Sequence, residues 1–316
     1  IPYVIATFNA IMAFLLLLLI GWSNPLELQT VIPAEGRGLN PLLQNPAMAI
    51  HPPSLYLGFI GFSVPFAFAM GGLIRGKMDN EWVLTTRRWT LMAWYFLSSG
   101  LILGGQWAYE ELGWGGFWAW DPVENAALMP WLTGTAFLHS VMIQEKRNML
   151  KIWNVVLIIM TYGLTILGTF LTRSGVINSV HSFTQSEVGP IFLIYLALIM
   201  IIGFALLFKR IQMLESEYKI ESVLCRENVF LAQNVLLVGI AFTVLLGTTF
   251  PLLSEAVRGA KLSIQAPFFN TITAPMGYAL LLLMGVGMLI SWRKSSWEGL
   301  KGDFQNPVIL ATAGTI

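Results

Sequence analysis

The sequence predicts an all-α fold, a polytopic transmembrane helix bundle of about eight spans, and three observations predict it. Of 316 residues only 11% are charged while 56% are hydrophobic, whereas a soluble domain is about 25% charged. Runs free of Asp, Glu, Lys and Arg cover 3–26, 38–74, 89–109, 125–144, 152–172, 188–208, 228–254 and 262–292. Each holds the roughly 20 residues that a helix needs to cross about 30 Å of hydrocarbon. Finally, the basic residues divide unevenly between alternate connections.

Backbone amides in lipid must be satisfied within their own segment, so the runs are expected to be helices. They fall near 3–22, 55–74, 89–106, 125–142, 152–172, 189–208, 229–250 and 275–292, with a ninth beginning at 306–316. The first is an unbroken apolar run, and the second follows the Pro46, Pro52 and Pro53 segment. The third lies between Arg88 and Glu110, the fourth follows Asp121 and Glu124, and the fifth is bounded by Lys151 and Arg173. The sixth ends at Lys209, the seventh lies between Glu227 and Glu255, and the eighth runs from Pro275 to Arg293.

Fourteen of the eighteen basic residues lie in one set of connections, which places that set on the cytoplasmic or matrix side. The loops 23–54, 107–124, 173–188 and 251–274 then face outward. No internal repeat or linker divides the chain, so residues 1–316 read as a single helical membrane domain. It opens on Ile1-Pro2 with no basic n-region, which reads as part of a longer protein and not as a signal peptide. The net charge of +1 gives no footprint for nucleic acid. The lone Cys225 excludes an internal disulfide and a C-x-x-C-H haem attachment of the chain's own.

Five of the twelve tryptophans fall within residues 107–131, in and just after a loop reading Trp114-Gly-Gly-Phe117-Trp118-Ala-Trp120-Asp121-Pro-Val-Glu124-Asn125. Tryptophans collect in interfacial belts, but a belt spreads them over many helix ends. Interleaved with glycines, which allow close backbone approach, indole faces suit a large planar apolar ligand. Two of the three histidines flank this loop: His51 before the second span, held extended by Pro52 and Pro53, and His181 after the fifth. They read either as unrelated interfacial residues or as a pair of axial ligands for haem iron. Counting inward from Asn125 at about 1.5 Å per residue puts His139 roughly 21 Å deep. An ionisable group at that depth faces the bundle interior and marks function; it is either a hydrogen-bonded neutral imidazole or a ligand of a buried haem. Arg173 reads as a propionate partner or an interfacial anchor. Asp121 and Glu124 read as helix caps, and Cys225 as an idle thiol.

The Trp114–Asn125 stretch, the following Met129-Pro130-Trp131, the His139 helix ending in Glu145-Lys146-Arg147, and Arg173-Ser-Gly-Val176 with Val180-His181 resemble the WWD-domain haem-handling membrane proteins. Among these the combination is similar to the CcmF family, the large membrane subunit of the bacterial-type cytochrome c maturation system. The motifs cover about residues 40–183, with 107–131 as the WWD segment. The resemblance implies a haem lyase working within a complex. Haem would rest against Trp114, Phe117, Trp118, Trp120 and Asp121, with His51 and His181 on its iron and Arg173 near a propionate. His139 would serve a structural or redox b-type haem reduced by quinol. Implied partners are a haem-delivering chaperone, apocytochrome c carrying C-x-x-C-H, thiol-reducing and other maturation subunits, and membrane lipid. The implied location is the bacterial inner membrane or the mitochondrial inner membrane, with the WWD loop facing the periplasm or outside. Phe117 departs from the family's usual Trp, and neither the second intramembrane histidine nor the family's first spans fall within these residues. A non-catalytic haem chaperone or transporter of the same superfamily and an unrelated secondary transporter are the alternatives. The latter usually shows repeated halves and broken helices around a midplane site.

Overall fold

The computed structural model describes residues 1–28, 31, 34–36, 38–177, 179, 188–216, 218 and 220–314. Among the described residues there are ten α-helices and no strand. Seven helical segments are long and apolar enough to cross a membrane. They are α1 (Pro2–Gly21), the stretch Ala47–Arg75, α5 (Pro122–Arg147), α6 (Lys151–Arg173), α7 (Gly189–Lys209), α8 (Arg226–Arg258) and α9 (Ala266–Leu289). Ala47–Arg75 consists of α2 (Ala47–Gly61) and α3 (Ser63–Arg75), meeting at Phe62. Pro65 offers no N–H to the Gly61 carbonyl, which breaks the hydrogen-bond ladder at the joint.

The third expected span is α4 (Glu81–Glu111). It is absent from those seven because Arg87, Arg88 and paired glutamates load its ends and Ser, Gly and Thr its middle. Packing supplies the crossing instead. A Cβ added at Gly58 would meet Leu97 at 2.6 Å, at Gly61 Ala93 at 2.7 Å, and at Gly100 Leu55 at 2.8 Å. Those descending and ascending numbers are the register of two antiparallel helices in backbone proximity, the small-residue mode of packing in membranes. Helix α4 therefore lies alongside α2 through the same apolar layer, an eighth crossing.

Several boundaries differ from expectation because helices continue past the charges, or through the prolines, taken to bound them. The second crossing begins at Ala47 and not near 55, so His51 is helical and not extended. A proline's fixed φ is already that of a helix. The start of α2 is secured by Asn45, whose Oδ1 accepts the Ala47 N–H at 2.8 Å while its amide donates to Glu110 and Glu111 at the end of α4. Likewise α8 runs through Pro251 to Arg258, and α9 begins at Ala266 with Pro275 inside it. Where a ninth span was expected from 306, α10 (Trp297–Gly314) is already helical, but it carries Glu298, Lys301 and Asp303 and is not one of the apolar spans.

Helix α5 is the hub, packed against α4, α6 and α8; α7 lies on α6, α9 on α8 and α1 on α3. Phe62, Phe66, Met129, Phe137, Ile158 and Ile159 fill the core. At one end the Lys- and Arg-rich connections gather. Arg147 bridges Glu221 (2.8 Å) and Glu227 (3.1 Å), Arg87 pairs with Glu145 (3.4 Å), and Lys146 caps the Trp292 ring. Beside them Gln144 donates to Asn80 (3.0 Å) and accepts from Asn154 (2.7 Å), tying α4, α5 and α6 together. The tryptophan-rich loop occupies the opposite end.

Candidate functional site

The loop between α4 and α5 is shaped by backbone freedom and closed by carboxylates. Gly113 and Gly115 take φ of +67° and +75°, and Trp120 takes +59°, a region where a non-glycine residue signals an imposed conformation. Asp121 is the N-cap of α5 and forms a capping box with Glu124. Its Oδ2 accepts the Val123 N–H (3.0 Å) and the Ser179 hydroxyl (2.6 Å), and Glu124 Oε2 accepts the N–H groups of Ala119 and Asp121. Both carboxylates are thus engaged in holding the loop.

The aromatic residues do not form one shelf. Trp120 turns toward α8 and α9, stacking on Phe269 (4.9 Å, 11°) and donating Nε1–H to Asn270 at 2.8 Å. Trp114 donates to Gly116 O within its own loop, and Trp107 is fully buried with its Nε1–H on Leu42 O. Phe117 and Trp118 face the other way. With Leu101, Gly105, Leu128 and Trp131 they line an apolar groove of about 450 Å³ between α4 and α5. Phe117 is stacked on Tyr109 at 4.5 Å. Trp118 is the link inward, because it also lines a small recess with His51, Gly104 and Val123, and its buried Nε1–H has no hydrogen-bond partner there.

His51 joins that recess to a cleft of about 280 Å³ between α2, α5 and α6, whose rim carries Arg173. Nδ1 of His51 lies 2.7 Å from Gly100 O. A carbonyl only accepts, so Nδ1 carries a proton, and in the neutral ring the lone pair falls on Nε2, the arrangement of a metal ligand steadied by a backbone carbonyl. Gly104 gives the ring its space: a Cβ there would fall 2.5 Å from Cε1.

The structure therefore brings His51, Trp118 and Arg173 around connected spaces, with Phe117 at the membrane side. Trp114, Trp120 and Asp121 are engaged elsewhere, and His181 lies outside the described residues. His139 lies farther along α5, half-buried and stacked on Phe230 of α8 at 5.3 Å, its Nδ1 buried without a hydrogen-bond partner among the described residues. It lines none of the spaces around His51 described above. Among the described residues no group of three or more His, Cys, Asp and Glu could hold a bare metal ion. Gly100, Gly104, Thr169 and Thr172 also line or shape these spaces and carry no motif in the sequence. The four-residue spacing of Gly100 and Gly104 on one helix face was the available signal for the close approach.

A family model described as "Cytochrome C assembly protein" matches residues 2–177. The cytochrome c-type biogenesis protein CcmF of Pseudomonas aeruginosa is 45% identical over 312 residues, covering 98% of this chain and 47% of that protein. CcmF of Escherichia coli is 44% identical over 316 residues, covering 99% and 48%. A solved structure named "Cytochrome c Heme Lyase CcmF" superposes with a TM-score of 0.74 at 39% identity, over 93% of this chain and 42% of that one. The chain thus spans about half the length of the relatives it matches. It belongs to the cytochrome c assembly protein family, among the CcmF members.

Proposed function

We propose that this chain forms one helical membrane domain carrying the haem site of a membrane-bound cytochrome c haem lyase. The observation that supports the reading is the pair of adjoining spaces beneath the tryptophan-rich loop that His51 lines in common, one with Trp118 and the other with Arg173, and the contact of His51 Nδ1 with Gly100 O, which suits Nε2 to a metal. Residues 107–131 are the haem-handling segment. The basic end of the bundle is cytoplasmic by the positive-inside rule, so the loop faces the periplasm of a bacterial inner membrane.

Haem is the substrate at this outer site. His51 supplies one iron ligand and His181 the other. Trp118 and Phe117 provide apolar ring faces, and the orphaned Trp118 Nε1–H is a donor suited to a polar substituent of the macrocycle. Arg173 at the cleft rim pairs with a propionate, for which a guanidinium fork is the matching partner. The reaction adds each thiol of a C-x-x-C-H segment across a haem vinyl group: sulfur bonds to one vinyl carbon and the proton to the other, without net oxidation. The chain's contribution is to fix the two reactants within reach, the main source of acceleration in such a step. The partners are a haem-delivering chaperone, apocytochrome c and the subunits that keep its thiols reduced.

At the second location His139 fits a b-type haem: its buried Nδ1 lacks a partner and Phe230 offers a flat face beside it. When bound, that haem supplies one-electron transfer from quinol to keep the outer iron ferrous. His139 would supply one nitrogen ligand to its iron.

The test is absorption spectroscopy of the haem-loaded full-length protein together with attachment to a C-x-x-C-H substrate. The expected result is a Soret band that shifts in His51→Ala, and covalent haem only when the protein is present. Absence of a Soret band after loading refutes the haem reading. A normal Soret band without covalent product leaves a haem chaperone and refutes the lyase.

A further inference from the structure

A groove of about 540 Å³ runs between α1, α3 and α7 and shares no lining residue with the spaces around His51. One end is closed by Phe14 of α1, which stacks on Tyr195 of α7 at 3.7 Å and 4°. The lining holds two side-chain hydroxyls, and both are engaged: Tyr195 pairs with the Tyr162 hydroxyl at 3.1 Å, and Thr7 donates to Tyr3 O at 2.9 Å. An occupant therefore meets hydrocarbon along the whole length. Leu206 follows Tyr195 by eleven residues along the α7 wall, about 16 Å at 1.5 Å per residue. That is about half of a 30 Å hydrocarbon core, the depth of one leaflet.

The other end opens at the basic face of the bundle. Ile74 and Leu206 line it; Arg75 follows directly, and Lys209 and Arg210 stand one turn past Leu206. Arg210 Nε donates to Leu73 O at 3.3 Å, and the guanidinium rests over Gly76, 3.2 Å from where a Cβ would stand. That hydrogen bond uses one N–H and leaves the two terminal nitrogens, the fork that suits a phosphate. Among the described residues, no ion pair engages Arg75, Lys209 or Arg210, and nearby Asp79 is held by Lys77 at 3.1 Å. We propose that this groove holds one anionic phospholipid of the cytoplasmic leaflet, an acyl chain along α7 and its phosphate on Arg210, Arg75 and Lys209. Basic pockets between membrane helices on this side suit anionic head groups. A zwitterionic lipid brings its own cation to compete for the phosphate, and a quinone ring finds no unspent hydroxyl in the wall. The proposal is independent of the haem reading.

The experiment uses the full-length protein in vesicles of equimolar phosphatidylglycerol and phosphatidylcholine. A benzophenone side chain replaces Ile202 in the groove or Leu282 on the exposed face of α9, each seven residues before its helix reaches the basic end. Mass spectrometry of the photo-adducts should show phosphatidylglycerol enriched at least fivefold at 202 and within twofold of unity at 282. Arg75→Gln/Arg210→Gln should abolish the enrichment at 202. Ala10→Trp, which keeps every cation and fills the groove, should abolish it too. The site is overturned by a ratio within twofold of unity at 202, or by equal enrichment at 202 and 282. Enrichment that survives Ala10→Trp overturns it as well, because surface charge alone then recruits the lipid. So does a cross-link from 202 to the protein's own chain, which puts a further helix in the groove, or to a quinone.

Discussion

Gly104 tests the site through a single added carbon. In Gly104→Ala the new Cβ would lie 2.5 Å from His51 Cε1 and 2.9 Å from Nδ1, against ordinary contact from 3.4 Å. The ring must retreat by about 0.9 Å, more than the 2.7 Å hydrogen bond to Gly100 O can absorb. Two stability effects oppose each other: alanine gains about 1 kcal/mol of helix propensity, and overpacking costs about 1–3 kcal/mol. The net change in stability is therefore small. Ligand orientation has no such offset, and losing a supporting hydrogen bond typically weakens metal binding by about 10–100-fold. Haem titration followed at the Soret band should show that loss, with the thermal unfolding midpoint moved by only a few degrees. If Gly104→Ala binds haem within twofold of the parent with an unchanged spectrum, then His51 is not held as an iron ligand by α4, and the assignment of its Nε2 fails.

Three further outcomes follow from the packing. Arg147→Met removes the ion-pair partner of Glu227, whose side chain is 4% exposed, and leaves it the Arg293 N–H; a buried charge without its counter-ion should cost about 3 kcal/mol, and Arg147→Met/Glu227→Gln should recover most of it in the same unfolding assay. His139→Phe keeps a ring against Phe230 and removes a buried orphan nitrogen, so stability should hold or rise while any b-type haem absorbance disappears. A fall above about 2 kcal/mol would show that His139 has an internal partner. Burial pushes the Cys225 thiol above its ordinary pKa, and Sγ donates to Ser222 O at 3.0 Å. The thiolate is the reactive form, so iodoacetamide should label folded protein at pH 7 far more slowly than unfolded protein, with the rate rising as pH increases toward 10. Equal labelling at pH 7 would refute that burial.

Much of the bundle was legible because lipid punishes exposed backbone and charge, leaving apolar runs with charged punctuation. The helices outrun the expected spans where they extend past charges, as at Glu81 and Arg258, or through a proline, as at Ala266 with Pro275 inside α9. The prolines at 52 and 53 misled in the same way: local sterics favour extended backbone before proline, but contact with α4 holds α2 helical. The candidate site was legible by type, since histidines and tryptophans are conspicuous in an apolar chain. Their directions were not. Trp118 and Trp120 are two residues apart, with rings 5.8 Å apart and nearly perpendicular, and only the turn at Trp120 sends one toward His51 and the other toward Phe269.

Composition and charge order alone determined that the chain is helical, that it crosses a membrane, and which ends belong together, because solvation free energy is a property of each segment. Tertiary structure decided that α4 crosses at all, through glycine contacts with α2. It also decided that Nδ1 of His51 meets Gly100 O and that Trp118 and Trp120 of one loop line different spaces. Those outcomes depend on which atoms from distant segments meet, and contact between segments has no local signature.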